Sequence, residues 1–278
     1  MKPAPFAYVR PASLDEALAI LSKKEGVVKI IAGGQSLGPM LNLRLVAPDV
    51  IIDISGLPEL KRAETRDGDL ILGACVTHAD VEDSRVPDVT KGAMRRVATA
   101  IAYRAVRNRG TIGGSLSHAD PSADWVSALA ALGARVTLHS LRGAREVAVA
   151  DFVLGALESA LASDEIVESI HVPALPKSAR WGYVKACRKP GEFAHAIAAV
   201  MIEPERASAR IVMGAVEAAP IVVTEADELF DGRVDGDFSG RFDPSAADAL
   251  LAKAGVVDAA SRHIHVATLR RAVAEAAA

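Results

Sequence analysis

Residues 29–40 read KIIAGGQSLGPM, a short apolar stretch that runs directly into a pair of glycines. The apolar residues predict a β-strand that ends in a turn at Gly33 and Gly34. Because glycine has no Cβ, converging N–H groups in such a turn can come close to a phosphate. Ser36 adds a hydroxyl at the start of a predicted short helix. The stretch is either an ordinary turn or part of an anion-binding loop.

The spacing of these glycines excludes two common phosphate-binding motifs. The dinucleotide fingerprint needs glycines at its first, third and sixth positions, and Gln35 stands at the third. A Walker loop needs Lys and then Ser or Thr after its last glycine, but Pro39 and Met40 follow Gly38. A phosphate site here must therefore be of another kind.

A second glycine-rich stretch, NRGTIGGSLSHADPSAD at residues 108–124, favours the anion-binding alternative over an ordinary turn. Gly110, Gly113 and Gly114 alternate there with the hydroxyl residues Thr111 and Ser115. We expect the two loops to face each other across a cleft and to offer main-chain donors to both halves of a pyrophosphate. Together they favour a large nucleotide cofactor in an extended conformation.

Composition limits the classes of function. Half of the 278 residues are hydrophobic, which suffices for a sizeable core. A net charge of −3 without a basic stretch disfavours nucleic acid and anionic membranes as partners. We find neither a secretory signal nor an uncharged membrane-length segment, so we expect a cytoplasmic protein without membrane insertion. Cys75 and Cys187 are too few for a four-thiolate metal site, and both are predicted to be small buried side chains.

Hydrophobic periodicity predicts an α+β protein. Ser13 and Glu16 predict a capping box that opens a helix over 13–23. The stretch PALPKSAR at 173–180 predicts a domain boundary. Before it we predict helices over 77–84, 87–101 and 122–134, and strands over 27–32, 49–54, 69–78, 135–140, 145–152 and 165–173. After it we predict strands over 181–188, 196–203 and 209–217, then helices near 224–231, 244–254 and 262–277.

Three segments in this order and spacing, IIAGGQSL, GACVTHADVEDS and VRNRGTIGGSLSHADPSAD, resemble the FAD-binding medium subunit of the molybdenum hydroxylases. That family includes carbon monoxide dehydrogenase, the xanthine dehydrogenases and the N-heterocycle hydroxylases. EIVESIHVP and YVKACRKPGEFAHA also match family segments, so the resemblance spans nearly the whole chain. It implies a two-subdomain FAD-binding domain of the PCMH/vanillyl-alcohol-oxidase type over 1–174, with subdomains of about 1–56 and 57–174. A smaller α+β C-terminal domain would follow over 178–278.

The resemblance also implies which residues bind FAD. The first loop would wrap the pyrophosphate with backbone amides, and its members are Ala32, Gly33, Gly34, Gln35, Ser36 and Leu37. The second loop would hold the pyrophosphate from the other side through Thr111, Gly113, Gly114 and Ser115. Family positions elsewhere correspond to Asp124 on the polar part of the cofactor, Val167 against it, Ile101 on the isoalloxazine, Lys185 at the flavin edge, and His78. Phe193 matches a mobile aromatic residue near the ring.

Two positions depart from the family pattern, and several have simpler explanations. Ser115 is often Asn in the family, and His118 stands where a small polar residue is common. Asp124 is also the expected first-turn acid of a helix, and Lys185 is compatible with a solvent-facing strand position. The alternative for His78 is a surface position just after a helix cap at Thr77. Three arginines either steer an anionic cofactor or occupy an ordinary exposed loop: Arg104, Arg107 and Arg109.

The implied function is electron transfer within a heterotrimeric molybdenum hydroxylase. A large molybdopterin-binding subunit would oxidise the substrate, and a small subunit with two 2Fe–2S clusters would pass electrons to FAD. The acceptor would be NAD, a quinone or O₂, and the assembly a dimer of heterotrimers. The alternatives are a free-standing FAD-dependent oxidase or reductase of the same cofactor fold, and a non-catalytic nucleotide-binding or scaffold module.

Overall fold

The computed structural model describes residues 2–23, 26–225, 228–230, 234 and 237–278. The strands are β1 (Ala7–Val9), β2 (Val28–Ile31), β3 (Val50–Asp53), β4 (Ala63–Arg66), β5 (Asp69–Gly73), β6 (Arg135–Ser140), β7 (Gly143–Ala148), β8 (Val153–Gly155), β9 (Glu158–Ser159), β10 (Ile166–Val172), β11 (Arg180–Ala186), β12 (Ala196–Glu203), β13 (Ser208–Gly214) and β14 (Ile221–Val223). The helices are α1 (Leu14–Ser22), α2 (Leu37–Asn42), α3 (His78–Glu82), α4 (Ala93–Ala100), α5 (Arg104–Arg107), α6 (Ile112–His118), α7 (Asp124–Ala131), α8 (Val149–Phe152), α9 (Pro244–Lys253) and α10 (Ala259–Ala277). Short 3₁₀ turns lie at Pro58–Lys61, Pro204–Arg206 and Ser239–Arg241.

The N-terminal layer is a three-stranded parallel sheet in the order β1-β3-β2. The predicted strand–helix–strand unit forms as β2, α2 and β3, with Ile31 opposite Asp53 in the register. Helix α1 buries Leu14, Leu18 and Leu21 in one cluster with Ile52 of the central strand. This packing fixes the end of β2, from which the first glycine loop leaves.

The middle layer is a five-stranded antiparallel sheet in the order β4-β5-β10-β6-β7. Alternate residues of its strands, such as Leu70, Leu72, Val136 and Leu138, point into a core shared with α4, α6 and α7. Every residue of α7 is buried, so this helix lies at the centre of the molecule.

The C-terminal sheet is antiparallel, with the order β11-β12-β13-β14. Its inner strand β12 has apolar residues on both faces, as expected for a strand that is covered on each side. Ile197 and Ala199 join the core around α7, whereas Ala198 and Val200 join a second core with α10. The sheet is therefore packed between α7 and the C-terminal helices.

Most predicted elements form, and the differences are local. REVAVADF, predicted as one strand over 145–152, divides into the end of β7 and the helical turn α8. The helix predicted over 87–101 begins only at Ala93. Ser13 Oγ accepts from Glu16 N as predicted, but the Glu16 carboxylate accepts from Ala12 N, so the box is not reciprocal. The helix predicted near 224–231 falls partly on 226–227 and 231, outside the described residues.

The cysteine prediction holds for one of the two residues. Cys75 is buried, and burial raises the pKa of its thiol to about 12. Cys187 is only partly buried, because it follows the last residue of β11 near the surface. Neither forms a disulfide. Within the described ranges, no helix combines the length and apolarity needed to cross a bilayer, and no group of His, Cys, Asp and Glu side chains is arranged to hold a metal.

Candidate functional site

The two glycine loops meet. Gly33, just beyond β2, is buried, and a Cβ on it would overlap the carbonyl oxygen of Arg109. Gly34 follows with φ of 71°, a left-handed conformation that favours glycine. The contact joins positions that lie far apart in the sequence, so the two loops form adjoining walls of one cleft. The glycine at 33 is thus required by the close approach of a second backbone.

The first loop leaves main-chain donors unused. Its first helical bonds run from Gly38 N to Gly34 O (2.9 Å) and from Met40 N to Ser36 O (3.2 Å). The N–H groups of Gln35, Ser36 and Leu37 precede these bonds and donate to none of the described residues. Free N–H groups beside a glycine turn are the donors that a phosphate requires.

The second loop differs from the expectation, because its amides already have acceptors. Gly113 N donates to Ala74 O, Gly114 N to Thr111 Oγ1 and Ser115 N to Thr111 O, each at 3.0 Å. The unforeseen helix α6, with Thr111 as its N-cap, causes the last two of these bonds, whereas Gly113 is paired because Ala74, just after β5, lies opposite it. A Cβ on Gly113 would lie 2.7 Å from Ala74 O, so this glycine serves packing. The prediction that the main-chain N–H groups of 113–115 are free donors is therefore corrected. On this side a ligand would meet side-chain hydroxyls such as that of Ser115.

His78 is a buried residue of the cleft wall. It is 5% exposed, and its Nδ1 accepts from Trp125 Nε1 at 3.0 Å. Burial, with a smaller contribution from the Arg107 charge, lowers the His78 pKa to about 4. A Cβ on Gly110 would lie 2.7 Å from His78 Nε2. The Thr77 cap is present, but the surface position considered for His78 is wrong.

Asp124, Tyr183 and Lys185 form a buried polar cluster. The Asp124 carboxylate accepts from Tyr183 OH at 2.7 Å and from Lys185 Nζ at 2.9 Å. Tyr183 and Lys185 lie two apart on β11 and so share one face. Burial raises the Asp124 pKa, which Lys185 and the hydrogen bonds oppose, and burial beside Asp124 raises the Tyr183 pKa well above its usual value. The solvent-facing alternative for Lys185 is wrong.

These walls enclose a cleft of about 560 Å³. The structure brings every predicted cofactor-binding residue to its lining, together with Phe193, which is 71% exposed. The lining includes Ala32, Gly33, Gly34, Gln35, Ser36, Leu37, His78, Ile101, Thr111, Gly113, Gly114, Ser115, Asp124, Val167 and Lys185. That they share a cleft is a finding of the structure, whereas their contacts with a cofactor stay a prediction.

Sequence reasoning missed several residues of the site. Tyr183 anchors Asp124, and Trp125 orients His78. Gly110, predicted only as a glycine of the second loop, has the missed role of making room for the His78 ring. The spacing of Tyr183 and Lys185 on one strand face was a usable signal for the first. The roles of Trp125 and Gly110 depend on contacts between segments that are distant in the sequence, so no local pattern indicated them.

Comparison with known proteins identifies the family of the chain. A family model described as the FAD binding domain in molybdopterin dehydrogenase matches residues 4–175. The chain belongs to this family. Its PCMH-type cofactor fold agrees with the predicted α+β class.

Relatives and solved structures place the chain among the FAD-binding medium subunits of molybdenum hydroxylases. It is 36% identical to caffeine dehydrogenase subunit beta of Pseudomonas sp. (strain CBB1) over 84% of this chain and 80% of the relative. It is also 36% identical to the nicotine 6-hydroxylase medium subunit of Paenarthrobacter nicotinovorans, over 84% and 82% of the two chains. A solved structure of carbon monoxide dehydrogenase from Hydrogenophaga pseudoflava superposes with a TM-score of 0.88 at 30% identity, covering 99% and 98% of the two chains.

The cleft of this medium subunit fits FAD. The free N–H groups of residues 35–37 suit an anionic pyrophosphate. Gly114 is exposed at the cleft, and a Cβ on it would lie 2.7 Å from Thr111 Oγ1. Apolar side chains such as Ile101 and Val167 suit an aromatic ring, and Lys185 brings a buried cation to the same cleft.

Proposed function

We propose that this chain carries electrons from the 2Fe–2S clusters of a small partner subunit, through its bound FAD, to an external acceptor. A large molybdopterin-binding subunit would supply the electrons by oxidising the substrate. NAD, a quinone and O₂ are the candidate acceptors, and a dimer of heterotrimers is the proposed assembly. The observation that carries the proposal is the meeting of the two glycine loops at one cleft, in a chain of this family.

The first loop would hold the pyrophosphate at the middle of the cofactor, and the cluster around Asp124 would lie toward its flavin half. We assign the pyrophosphate to the backbone of Ala32–Leu37 and to the hydroxyl of Ser115. The isoalloxazine would lie toward Ile101, Val167 and Lys185. When bound, FAD supplies the exchange between one-electron and two-electron transfer.

The residues of the chain bind, orient and tune the cofactor, and none is assigned as a protein acid or base. Lys185 is kept at a defined position by Asp124, which in turn is held by Tyr183. Hydrogen bonds and charges such as that of Lys185, which the Asp124 carboxylate partly compensates, would tune the flavin potential. His78, with its lowered pKa, is neutral at pH 7 and adds no charge to the wall.

The proposed domain division follows the sheets. Residues 1–174 would form the FAD-binding domain, and residues 178–278 the smaller C-terminal domain that contributes Lys185. The cytoplasmic location stays a prediction.

Binding and reduction of flavin test the proposal. The purified full chain, titrated with FAD, should quench flavin fluorescence at one site per chain, while riboflavin, which has no pyrophosphate, should bind far more weakly. Reduction of the bound FAD by an organic substrate should require copurifying large and small subunits. Reduction by a substrate without partners would instead establish the free-standing oxidase, and a chain that binds no flavin would leave only a scaffold role.

A further inference from the structure

The loop of residues 101–103, here called the clamp loop, joins α4 to α5 and lines the cleft with Ile101, Ala102 and Tyr103. Ala102 has φ of 41°, in the left-handed region that residues with a Cβ rarely adopt. Such a conformation persists only where the surrounding structure enforces it.

Arg107 provides that enforcement. Its Nη1 donates to Ile101 O at 2.8 Å and to Ala102 O at 3.0 Å. Its Nε and Nη2 donate to the two carboxylate oxygens of Glu82 at 2.7 and 2.8 Å. The two side chains are only 12% and 16% exposed, so the bidentate pair is well shielded from solvent. One guanidinium therefore fixes two successive carbonyls of the loop to helix α3.

The clamp loop and the last residue of α4 also contact the C-terminal part of the chain. Lys185 Nζ lies 3.5 Å from Ala100 O, and a Cβ on Gly191 would lie 2.8 Å from Ala102 O. The carbonyl of Ala100 thus faces the Lys185 ammonium, and the carbonyls of residues 101 and 102 face the Arg107 guanidinium. The loop therefore has little freedom to move. The side chain of Ile101 is held in the cleft as a result.

We propose that Arg107 is a positioning residue for FAD, which acts by fixing the clamp loop so that Ile101 is presented to the flavin ring. The inference rests on the proposed function for the identity of the ligand. Arg104 provides a matched control for Arg107. It also pairs with Glu82, at 2.8 Å, but none of its hydrogen bonds in the described structure goes to a clamp-loop carbonyl.

Matched variants of the full chain test this role. Arg107→Lys keeps the positive charge but cannot span two carbonyls and a carboxylate, because lysine lacks the planar fork. We expect about tenfold weaker FAD binding in a fluorescence titration and an altered visible circular dichroism spectrum of the bound flavin. Arg104→Lys should stay within about twofold of the wild type and keep its spectrum.

Unchanged affinity and unchanged spectrum in Arg107→Lys would overturn the proposal. If that variant does not fold, Glu82→Gln should produce the same spectral change, and its absence would also count against the role. Hydrogen exchange of the Ile101 amide, which donates to Ala98 O at 3.2 Å, gives a readout in the ligand-free chain that does not need FAD. Exchange should be faster in Arg107→Lys than in the wild type, and equal rates would overturn the clamp even if the wild type bound no FAD.

Discussion

Lys185 of β11 and Asp124 at the start of α7 form an ion pair of 2.9 Å, although their side chains are only 8% and 6% exposed. The pair joins the C-terminal sheet to the helix at the centre of the molecule. Two charges taken from water into such a site are tolerated because each compensates the other and Tyr183 OH donates a further hydrogen bond. Removal of one partner should therefore be worse than removal of both.

Asp124→Asn should destabilise the ligand-free chain by about 3–5 kcal/mol, because it leaves the Lys185 ammonium buried opposite a neutral amide. The double variant Asp124→Asn/Lys185→Met should lose less than the sum of the two single changes. Urea unfolding of the four proteins measures the coupling energy. Glu64→Gln, which breaks the exposed pair with Arg66, should cost less than about 1 kcal/mol. Additive single changes would contradict the pairing.

Gly33→Ala should separate the two glycine loops, because its Cβ would overlap the Arg109 carbonyl oxygen. We expect a loss of about 1–3 kcal/mol in unfolding free energy and at least about tenfold weaker FAD binding. Gly38→Ala is the matched control, since its Cβ would meet no atom within 4 Å. That change should be neutral or stabilise α2 by up to about 1 kcal/mol. Equal behaviour of the two variants would refute the close approach.

Stability should depend on pH through His78. Its pKa is lowered to about 4 in the folded protein, against 6.5 in the unfolded chain. As the pH falls below 6.5 the unfolded chain takes up a proton that the folded chain does not, so folding loses about 3 kcal/mol between pH 7 and pH 4.

His78→Gln lacks this titration, so its stability deficit relative to the wild type should shrink as the pH falls. Chemical unfolding at several pH values between 7 and 4 measures the difference. His263→Gln, on the exposed face of α10, controls for the loss of an imidazole as such. A deficit that stays constant with pH would show that His78 takes up its proton at the same pH in the folded and unfolded chains.

Thr111→Val should lower stability by about 1 kcal/mol, because it removes the oxygen that accepts from Gly114 N at 3.0 Å and caps α6. Thr111→Ser keeps the acceptor and should retain most of the stability. Thermal unfolding of the two variants distinguishes the cap from the loss of a methyl group. A larger loss in the Ser variant than in the Val variant would disprove the capping role.

Local patterns predicted the parts of the fold that local forces determine. The strand at 135–140 and the strand at 196–203 form over the predicted residues, because alternation and turn residues specify them. The strand predicted over 145–152 turns helical at Val149, whose side chain enters the core beside α7. That outcome depends on tertiary packing, which no local pattern contains.

The same division holds at the site. The glycines and Thr111 are visible in the sequence because few residue types serve a tight backbone approach or a cap. Whether an amide in such a loop is free depends on which segment lies opposite, and Ala74 lies opposite Gly113. The pairing of Arg107 with carbonyls at 101–102 likewise arises from the turn between two helices, and its arginine was indistinguishable from its neighbours in the sequence.

The central position of α7 has a consequence for engineering. The family match ends at residue 175, yet Ile197, Ala199 and Val212 lie beyond that point and pack in the same core as Trp125 and Leu129. A fragment truncated at the match boundary would therefore expose apolar surface of its own innermost helix and aggregate. Chimeras between relatives should exchange α7 together with the C-terminal sheet, since these two segments pack in one hydrophobic core.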